Sequence, residues 1–389
     1  MSRLHALVGH DDVRRSLARA HAKGGLPAAL LIHGLRGVGK QRLALWTAQL
    51  QLCTAPGETG PCESCKSCRM VQTLEHPDLH WYFPLARPKG VSGDRLADAL
   101  QAARWEGLTE LRSQPLRASQ SDELRGLYLG LIQGLRRQAH VRPTLSAVQV
   151  FIIGDAEYLV PQEASPEAAN AILKLLEEPP SGARFILTSG EPGRLLATIR
   201  SRAVPLHLAP LPRAQVAEFL EEHRSVDDKT ARWAAALSQG SIGRALGFLP
   251  ETNGEAGPLD AMRREALAIV ESALAPGRSP GYTVALGYSP AGARTLVELF
   301  AFVEEWLRDV AAVAAGADEG VLSQDALPRL QKLVNSASVE ASDVATALAA
   351  LEEARELARG NVNPQLIVSG LVRRLRRSLR SAPAPTGRS

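Results

Sequence analysis

The fold of this chain is indicated by residues 33–41, which read His33-Gly34-Leu35-Arg36-Gly37-Val38-Gly39-Lys40-Gln41. An apolar run of strand length, residues 28–32, comes before them, and residues 42–48 follow with apolar side chains at helical spacing. A strand, a glycine loop and a helix in this order are the context of a phosphate-binding loop. The sequence therefore predicts an α/β domain, and a simple glycine turn between a buried strand and a helix is the alternative.

Four residues of this loop are candidate nucleotide ligands, namely Gly34, Gly37, Gly39 and Lys40. The glycines let backbone N–H groups turn toward a phosphate, and the lysine reaches the outer phosphates. The next position departs from the pattern, because a hydrolytic loop has Ser or Thr there to ligate Mg²⁺. This chain has Gln41 instead. The sequence leaves open whether the degenerate loop still binds ATP.

A second departure follows the apolar strand predicted over residues 148–153. Phosphate-loop ATPases carry an Asp for Mg²⁺ after such a strand and then a Glu that orients the attacking water. Counted from the apolar run, these positions are Gly154 and Asp155, so one carboxylate is missing and the other is shorter by a methylene. Glu157 lies two residues further along, and strand alternation gives no ground for it to substitute. We expect no intrinsic ATP hydrolysis.

All four cysteines of the chain lie close together, as Cys53, Cys62, Cys65 and Cys68. Zinc takes four thiolates in a tetrahedron, and a Cys-x2-Cys spacing lets two of them hold one ion from a tight turn. The set is complete without a histidine and leaves no position for water. The sequence predicts a structural zinc site, with reduced, unliganded cysteines as the alternative.

The amino-acid composition limits the classes of protein to which this chain can belong. Its 389 residues suffice for two or three domains, and 45% hydrophobic with 22% charged residues is ordinary for a globular protein. Aromatic residues make up only 4%, which disfavours base-stacking platforms for single strands. The net charge of +4 permits contact with nucleic acid without establishing it. No apolar run has membrane-spanning length, and the N-terminus shows no signal-peptide pattern, so we expect a cytoplasmic protein.

Helical periodicity replaces the alternation of strands and helices after about residue 209. The predicted organisation begins with an α/β core over residues 1–209, which contains a zinc module at about 53–78 and a surface insertion of two short helix-like pieces at about 86–126. A small helical domain over 210–250, a larger helical domain over 258–380 and a disordered tail over 381–389 follow it.

Several of these stretches resemble the clamp-loader branch of the AAA+ ATPases, and within it the delta-prime family of bacterial DNA polymerase III. The resemblance is strong over about residues 4–208 and weak over the helical remainder. Its motifs are the glycine loop with the four cysteines and His76-Pro77-Asp78 downstream, residues 169–180 (ANAILKLLEEPP), residues 191–202 (EPGRLLATIRSR) and residues 361–364 (NVNP). It implies an AAA+ core, a helical lid over 210–250 and an oligomerising collar over 258–380.

The resemblance also implies a role for Arg202. The family's Ser-Arg-Cys motif is present here as Ser201-Arg202-Ala203, and its arginine is offered across a subunit interface to the ATP of a neighbour. A fixed guanidinium in that position neutralises charge on the transferring phosphoryl group. A surface salt bridge is the alternative for Arg202. The family's second sensor arginine would fall at Gly243.

The function implied by the resemblance is that of a non-catalytic subunit in the clamp loader of a DNA-directed DNA polymerase. Its partners would be gamma/tau-type and delta-type subunits, the sliding clamp indirectly, and primer-template DNA through the assembled complex. An active gamma/tau-type motor subunit is the main alternative, which Gln41, Gly154 and Asp155 weaken. A zinc-stabilised DNA-binding module is a third, although no basic patch with interleaved aromatic residues accompanies the cysteines.

Overall fold

A computed structural model describes residues 5–114, 116, 125–159, 167–251, 254–277, 279–290, 293–360 and 362–380, without the side chains of Asp94 and Arg294. The chain divides into two compact units, Met1–Leu246 and Gly247–Ser389. Among the described residues, none of the helices combines the length and the apolar character needed to cross a membrane.

The first unit is built on a parallel five-stranded sheet with the strand order β2-β5-β6-β1-β7. A short antiparallel pair, β3 with β4, lies apart from it. In the pairing of β1 with β6, His33 lies opposite Ser189, so these two strands end at the same edge of the sheet. The strands are β1 (Ala29–His33), β2 (Leu79–Tyr82), β3 (Leu85–Ala86), β4 (Arg125–Gly126), β5 (Gln149–Ile153), β6 (Ala183–Ser189) and β7 (Val204–His207).

Helices cover both faces of this sheet, as the apolar run in β5 requires. Side chains alternate between faces along a strand. Phe151 and Ile153 accordingly belong to one buried apolar cluster, and Val150 and Ile152 belong to another. The helices of this unit begin with α1 (Asp11–Ala22), α2 (Lys40–Leu52), α3 (Lys66–Gln72), α4 (Asp94–Ser113) and α5 (Leu129–Ala139), and continue with α6 (Glu167–Glu177), α7 (Ala197–Arg200), α8 (Arg213–Arg224) and α9 (Asp228–Leu237). The next helix, α10 (Ile242–Phe248), contains the boundary between the two units. The predicted α/β core is confirmed.

The surface insertion differs from its prediction. Two short helix-like pieces were expected between residues 86 and 126, but the described part contains one helix of 20 residues, α4. Gly107 lies inside this helix, where glycine weakens helical structure. It is explained by packing, because a Cβ at this position would lie 2.8 Å from the Phe83 ring.

The second unit is helical over its described residues, as the sequence predicted. Its last helix begins at Pro364, and the Asn363 side chain accepts a hydrogen bond from the Gln365 N–H as its N-cap. The helices are α11 (Pro258–Leu274), α12 (Ser279–Leu286), α13 (Leu296–Ala314), α14 (Leu327–Ala337), α15 (Ala341–Arg359) and α16 (Pro364–Leu379). The predicted tail, 381–389, lies outside the described residues.

Candidate functional site

The glycine loop connects β1 to α2 at the carboxyl edge of the sheet. Gly37 has a φ of 77° and Gly39 a φ of 109°, which are left-handed values that side-chain-bearing residues rarely adopt. Gly39 directly precedes the first residue of α2, Lys40. The loop therefore has the strand-loop-helix context of a phosphate-binding loop, with Gly34, Gly37, Gly39 and Lys40 brought together as predicted.

Lys40 is buried and directed back into its own loop. Its Nζ donates hydrogen bonds to the carbonyl oxygens of Gly34 at 3.0 Å and Leu35 at 2.8 Å. Burial lowers the pKa of Lys40, and the nearby carboxylates of Asp155 and Glu157 oppose that shift. The positive charge of this lysine thus faces two acidic groups from the segment after β5.

Gln41 contacts the acidic segment at the place where a metal-binding hydroxyl is found in hydrolytic loops. Its Nε2 donates to Oδ2 of Asp155 at 3.0 Å, and the backbone N–H of Asp155 donates to Oγ1 of Thr188 at 3.0 Å. Burial raises the pKa of Asp155, and repulsion from Glu157 adds to that shift. An amide N–H donor cannot ligate Mg²⁺, so this contact replaces a metal ligand with a hydrogen bond.

The space beside Gly154 is occupied from two sides. A Cβ at this position would lie 3.2 Å from Nε1 of Trp81 and 3.3 Å from Nε2 of Gln41. The Trp81 indole N–H is buried and has no hydrogen-bond partner in the part of the chain that the structure describes. A carboxylate at residue 154 would therefore need Trp81 or Gln41 to move. Sequence reasoning missed Trp81, which lies on a neighbouring strand and carries no motif.

Glu157 is a second residue that the structure brings into the site. It is buried, and its Oε1 accepts a hydrogen bond from the Gly190 N–H at 2.9 Å. A Cβ at Gly190 would lie 3.3 Å from that oxygen and 3.8 Å from Nζ of Lys40. Oε2 of Glu157 is buried without a partner among the described residues. Its charge faces Lys40, although its position in the sequence gave no reason to expect this.

The start of α10 and the residue before it contact the outer side of the glycine loop. Ser241 Oγ donates to the carbonyl oxygen of Arg36 at 2.8 Å, and the Gly243 N–H donates to that of Gly37 at 3.0 Å. A Cβ at Gly243 would lie only 2.8 Å from Cα of Gly37. The position aligned with the second sensor arginine is therefore packed directly against the loop, where a longer side chain would clash.

The four cysteines converge as their spacing predicted. Their Sγ atoms all lie within 4.8 Å of one another, with Cys53–Cys65 at 4.0 Å and Cys62–Cys68 at 3.9 Å. A zinc tetrahedron with Zn–S bonds of about 2.3 Å has S–S edges of about 3.8 Å. The set therefore has the ligand number and the spacing that zinc requires.

Backbone donors surround the sulfur atoms in the manner expected for thiolates. The N–H groups of Cys62, Cys65 and Cys68 point to the Sγ atoms of Cys53, Cys62 and Cys65, each at 3.3 Å. His76 does not join this set, because its Nε2 lies 3.2 Å from Ser67 Oγ and its Nδ1 accepts from the Asp78 N–H. The donor set for a metal is therefore the four cysteines alone.

Arg202 lies on the surface between α7 and β7. Its Nη2 is 2.6 Å from Oε1 of Glu177, and its Nη1 donates to the carbonyl oxygen of Thr198 at 2.9 Å. Glu177 is the last residue of α6, within the ANAILKLLEEPP motif. The structure thus places Arg202 in an exposed ion pair, which was the alternative to a trans-acting role. This pair also orients the guanidinium at the protein surface.

Comparison with known proteins identifies the family. A sequence profile of the family described as DNA polymerase III, delta subunit, matches residues 9–212, which is more than half of the chain. The chain belongs to this family. The match within the DNA polymerase III delta family spans the glycine loop, the four cysteines and Arg202, and the resemblance predicted from the motifs is confirmed.

Relatives of this DNA polymerase III family member carry two kinds of subunit name. The DNA polymerase III subunit delta' of Escherichia coli is 31% identical over 228 residues, which are 59% of this chain and 56% of that protein. Its counterpart in Pseudomonas aeruginosa is 33% identical over 55% of this chain and 53% of the relative. The Escherichia coli subunit tau is 26% identical over 62% of this chain and 31% of the relative. The chain thus spans about half the length of these two delta' relatives.

Proposed function

We propose that this chain is a non-catalytic, delta-prime-type subunit of the DNA polymerase III clamp loader. It would support ATP-driven loading of the sliding clamp during DNA replication, as a cytoplasmic component of a bacterial replisome. Its direct partners would be gamma/tau-type and delta-type subunits, and it would reach the clamp and primer-template DNA through the complex. The family match supports the assignment to DNA polymerase III, and the altered phosphate loop supports the non-catalytic role.

The observation that carries the non-catalytic role is the hydrogen bond from Gln41 to Asp155. Phosphoryl transfer depends on positioning and on metal charge rather than on covalent chemistry by the protein. Here the amide of Gln41 takes the place of the metal-ligating hydroxyl, and Gly154 takes the place of the metal-ligating carboxylate. The remaining acidic residue, Asp155, accepts a hydrogen bond from the Gln41 amide. An active gamma/tau-type motor is the second candidate, favoured only by the similarity to the tau subunit.

The isolated chain is expected to hydrolyse no ATP above background. The reason is that Gln41 and Gly154 replace two metal ligands and that Asp155 is shorter than the glutamate that positions water. Steady-state turnover of the purified wild-type chain should equal that of Lys40→Ala. Hydrolysis by the wild-type chain that disappears in Lys40→Ala would assign it to the motor class instead.

Restoring one metal ligand, with Gln41→Thr, is expected to leave the isolated chain inactive. The hydroxyl returns, but residue 154 still lacks a carboxylate, and Trp81 lies 3.2 Å from where its Cβ would be. The measurement is Mg²⁺-dependent ATP turnover of Gln41→Thr, with thermal unfolding as the control for folding. Mg²⁺-dependent turnover by this single variant would show that Gln41 alone suppresses the site.

The cysteine cluster is proposed to hold one structural zinc ion. All four ligand positions are filled by protein thiolates, so the ion would have no open position for water. Its role would be to fix the loop between α2 and α3 on the rest of the core.

A further inference from the structure

A cavity of about 660 Å³ lies beside the free edge of the sheet, separate from the glycine loop. Its walls come from β2 and the residues before it, 74–77, and from the region of α4 and α5. The volume falls in the range of about 300–1,000 Å³ typical of small-molecule sites. Helix α4 lies in the surface insertion, and the proposed clamp-loader function gives this cavity no role.

Arg104 forms the buried wall of the cavity. Only 5% of this residue is exposed. Its Nη1 donates to the carbonyl oxygen of Trp81 at 3.1 Å and its Nε donates to Oε1 of Gln101 at 3.1 Å. Its guanidinium lies over the rings of Tyr82 and Trp105, at 4.5 Å and 4.8 Å from their centroids. No carboxylate of the described residues pairs with it, and a buried cation without a counter-ion is costly.

Two further arginines line the same cavity. Arg112 donates from Nη2 to the carbonyl oxygen of Leu74 at 2.6 Å, while its Nε is buried without a partner among the described residues. Arg137 is exposed and forms no ion pair or hydrogen bond with any described residue. The carboxylate in the lining is that of Glu75. Burial lowers the pKa of His80 to about 4, so this lining histidine is neutral near pH 7. The cavity is therefore cationic.

An aromatic ring completes the site. Trp105 lines the cavity and is 56% exposed, although indole rings are mostly buried in folded proteins. One part of the ring contacts the Arg104 guanidinium, and the exposed part is available for stacking. Flat aromatic ligands stack on such rings, and arginines bind phosphates through paired N–H donors. The amides of Gln101 and Gln138 add hydrogen-bonding groups to the wall.

We propose that this cavity binds a nucleotide, with the phosphate bound by Arg137 and Arg112 and the base stacked on Trp105. Arg104 supplies the buried positive charge behind the phosphate. The same chemistry is present in a free nucleotide and in the terminal nucleotide of a DNA strand. The proposal rests on the cavity alone and holds or fails independently of the clamp-loader function.

The test uses the full chain with Lys40→Ala, so that nucleotide binding through the lysine of the glycine loop does not contribute to the measured binding. Calorimetric titration with adenosine 5′-monophosphate should give saturable binding in this background. Arg137→Ala should weaken it about tenfold, as expected for a lost charged hydrogen bond. The matched control is Arg136→Ala, the adjacent arginine of α5, which does not line the cavity and should leave the affinity unchanged.

Trp105→Leu separates the two halves of the proposed ligand. It should weaken the adenosine monophosphate complex about tenfold and leave the binding of inorganic phosphate unchanged. Tighter binding of a 5′-phosphorylated oligonucleotide than of the mononucleotide identifies a strand end, and equal or weaker binding identifies a free nucleotide. The proposal is overturned if adenosine monophosphate does not bind, or if binding is unaffected by both Arg137→Ala and Trp105→Leu.

Discussion

Replacing Arg202 with alanine is expected to abolish ATP hydrolysis at one interface of the assembled clamp loader while leaving the chain folded. A trans-acting arginine contributes about 10³–10⁵ in rate where it is fully used. The exposed ion pair with Glu177 contributes only about 0–1 kcal/mol to stability. The loss should therefore appear in the turnover of the reconstituted complex and not in the thermal unfolding of this chain. Clamp loading should fall with it.

Two variants serve as controls for this result. Arg202→Lys should not restore hydrolysis well, because an ammonium is a point charge without the planar fork of a guanidinium. Arg200→Ala removes an exposed arginine two residues away and should leave hydrolysis unchanged. If the Arg202→Ala complex hydrolyses ATP and loads clamps at the wild-type rate, Arg202 has only the surface ion-pair role that the free chain displays.

Removing one cysteine of the cluster is expected to release zinc and detach the loop between α2 and α3. Metal analysis of the wild-type chain should find about one zinc ion, and Cys62→Ala should hold far less, because three thiolates leave the tetrahedron open. This loop rests on Trp46, since a Cβ at Gly60 would lie 2.6 Å from the indole. Loss of zinc should therefore expose Trp46 and shift tryptophan emission to longer wavelength.

The control for the zinc prediction is a residue of the same loop that provides no ligand. Glu58 is exposed, and Glu58→Ala should retain both the metal and the wild-type emission. Recovery of folded, metal-free wild-type protein with four titratable thiols would instead show that the cysteines form no zinc site.

The parts of the fold that could be predicted are those in which the local pattern of residue types indicates which side chains are buried or brought together. The apolar run in β5 required helices on both faces, and the two clusters around Phe151 and Val150 confirm this. The cysteines converged because Cys-x2-Cys spacing brings thiolates together through a local turn. The single long helix α4 was not predicted. It contains Gly107, which weakens helical structure locally and is explained only by its close packing against Phe83.

The parts of the site that sequence reasoning missed depend on contacts between distant segments. Ser241 reaches the carbonyl of Arg36 across 205 positions of the chain. Trp81 fills the space beside Gly154 from a neighbouring strand, and Glu157 faces Lys40 only because of the path that the chain takes after β5. Such proximities follow from tertiary packing and have no signature in spacing or composition.

In the proposed function, this chain completes a neighbour's ATP site without using a site of its own. The most direct test measures ATP hydrolysis by two reconstituted complexes that differ only in this chain, one with Lys40→Ala and one with Arg202→Ala. We expect the Lys40→Ala complex to hydrolyse ATP close to the wild-type rate and the Arg202→Ala complex to lose the contribution of one site. Loss of hydrolysis with Lys40→Ala and a wild-type rate with Arg202→Ala would contradict it.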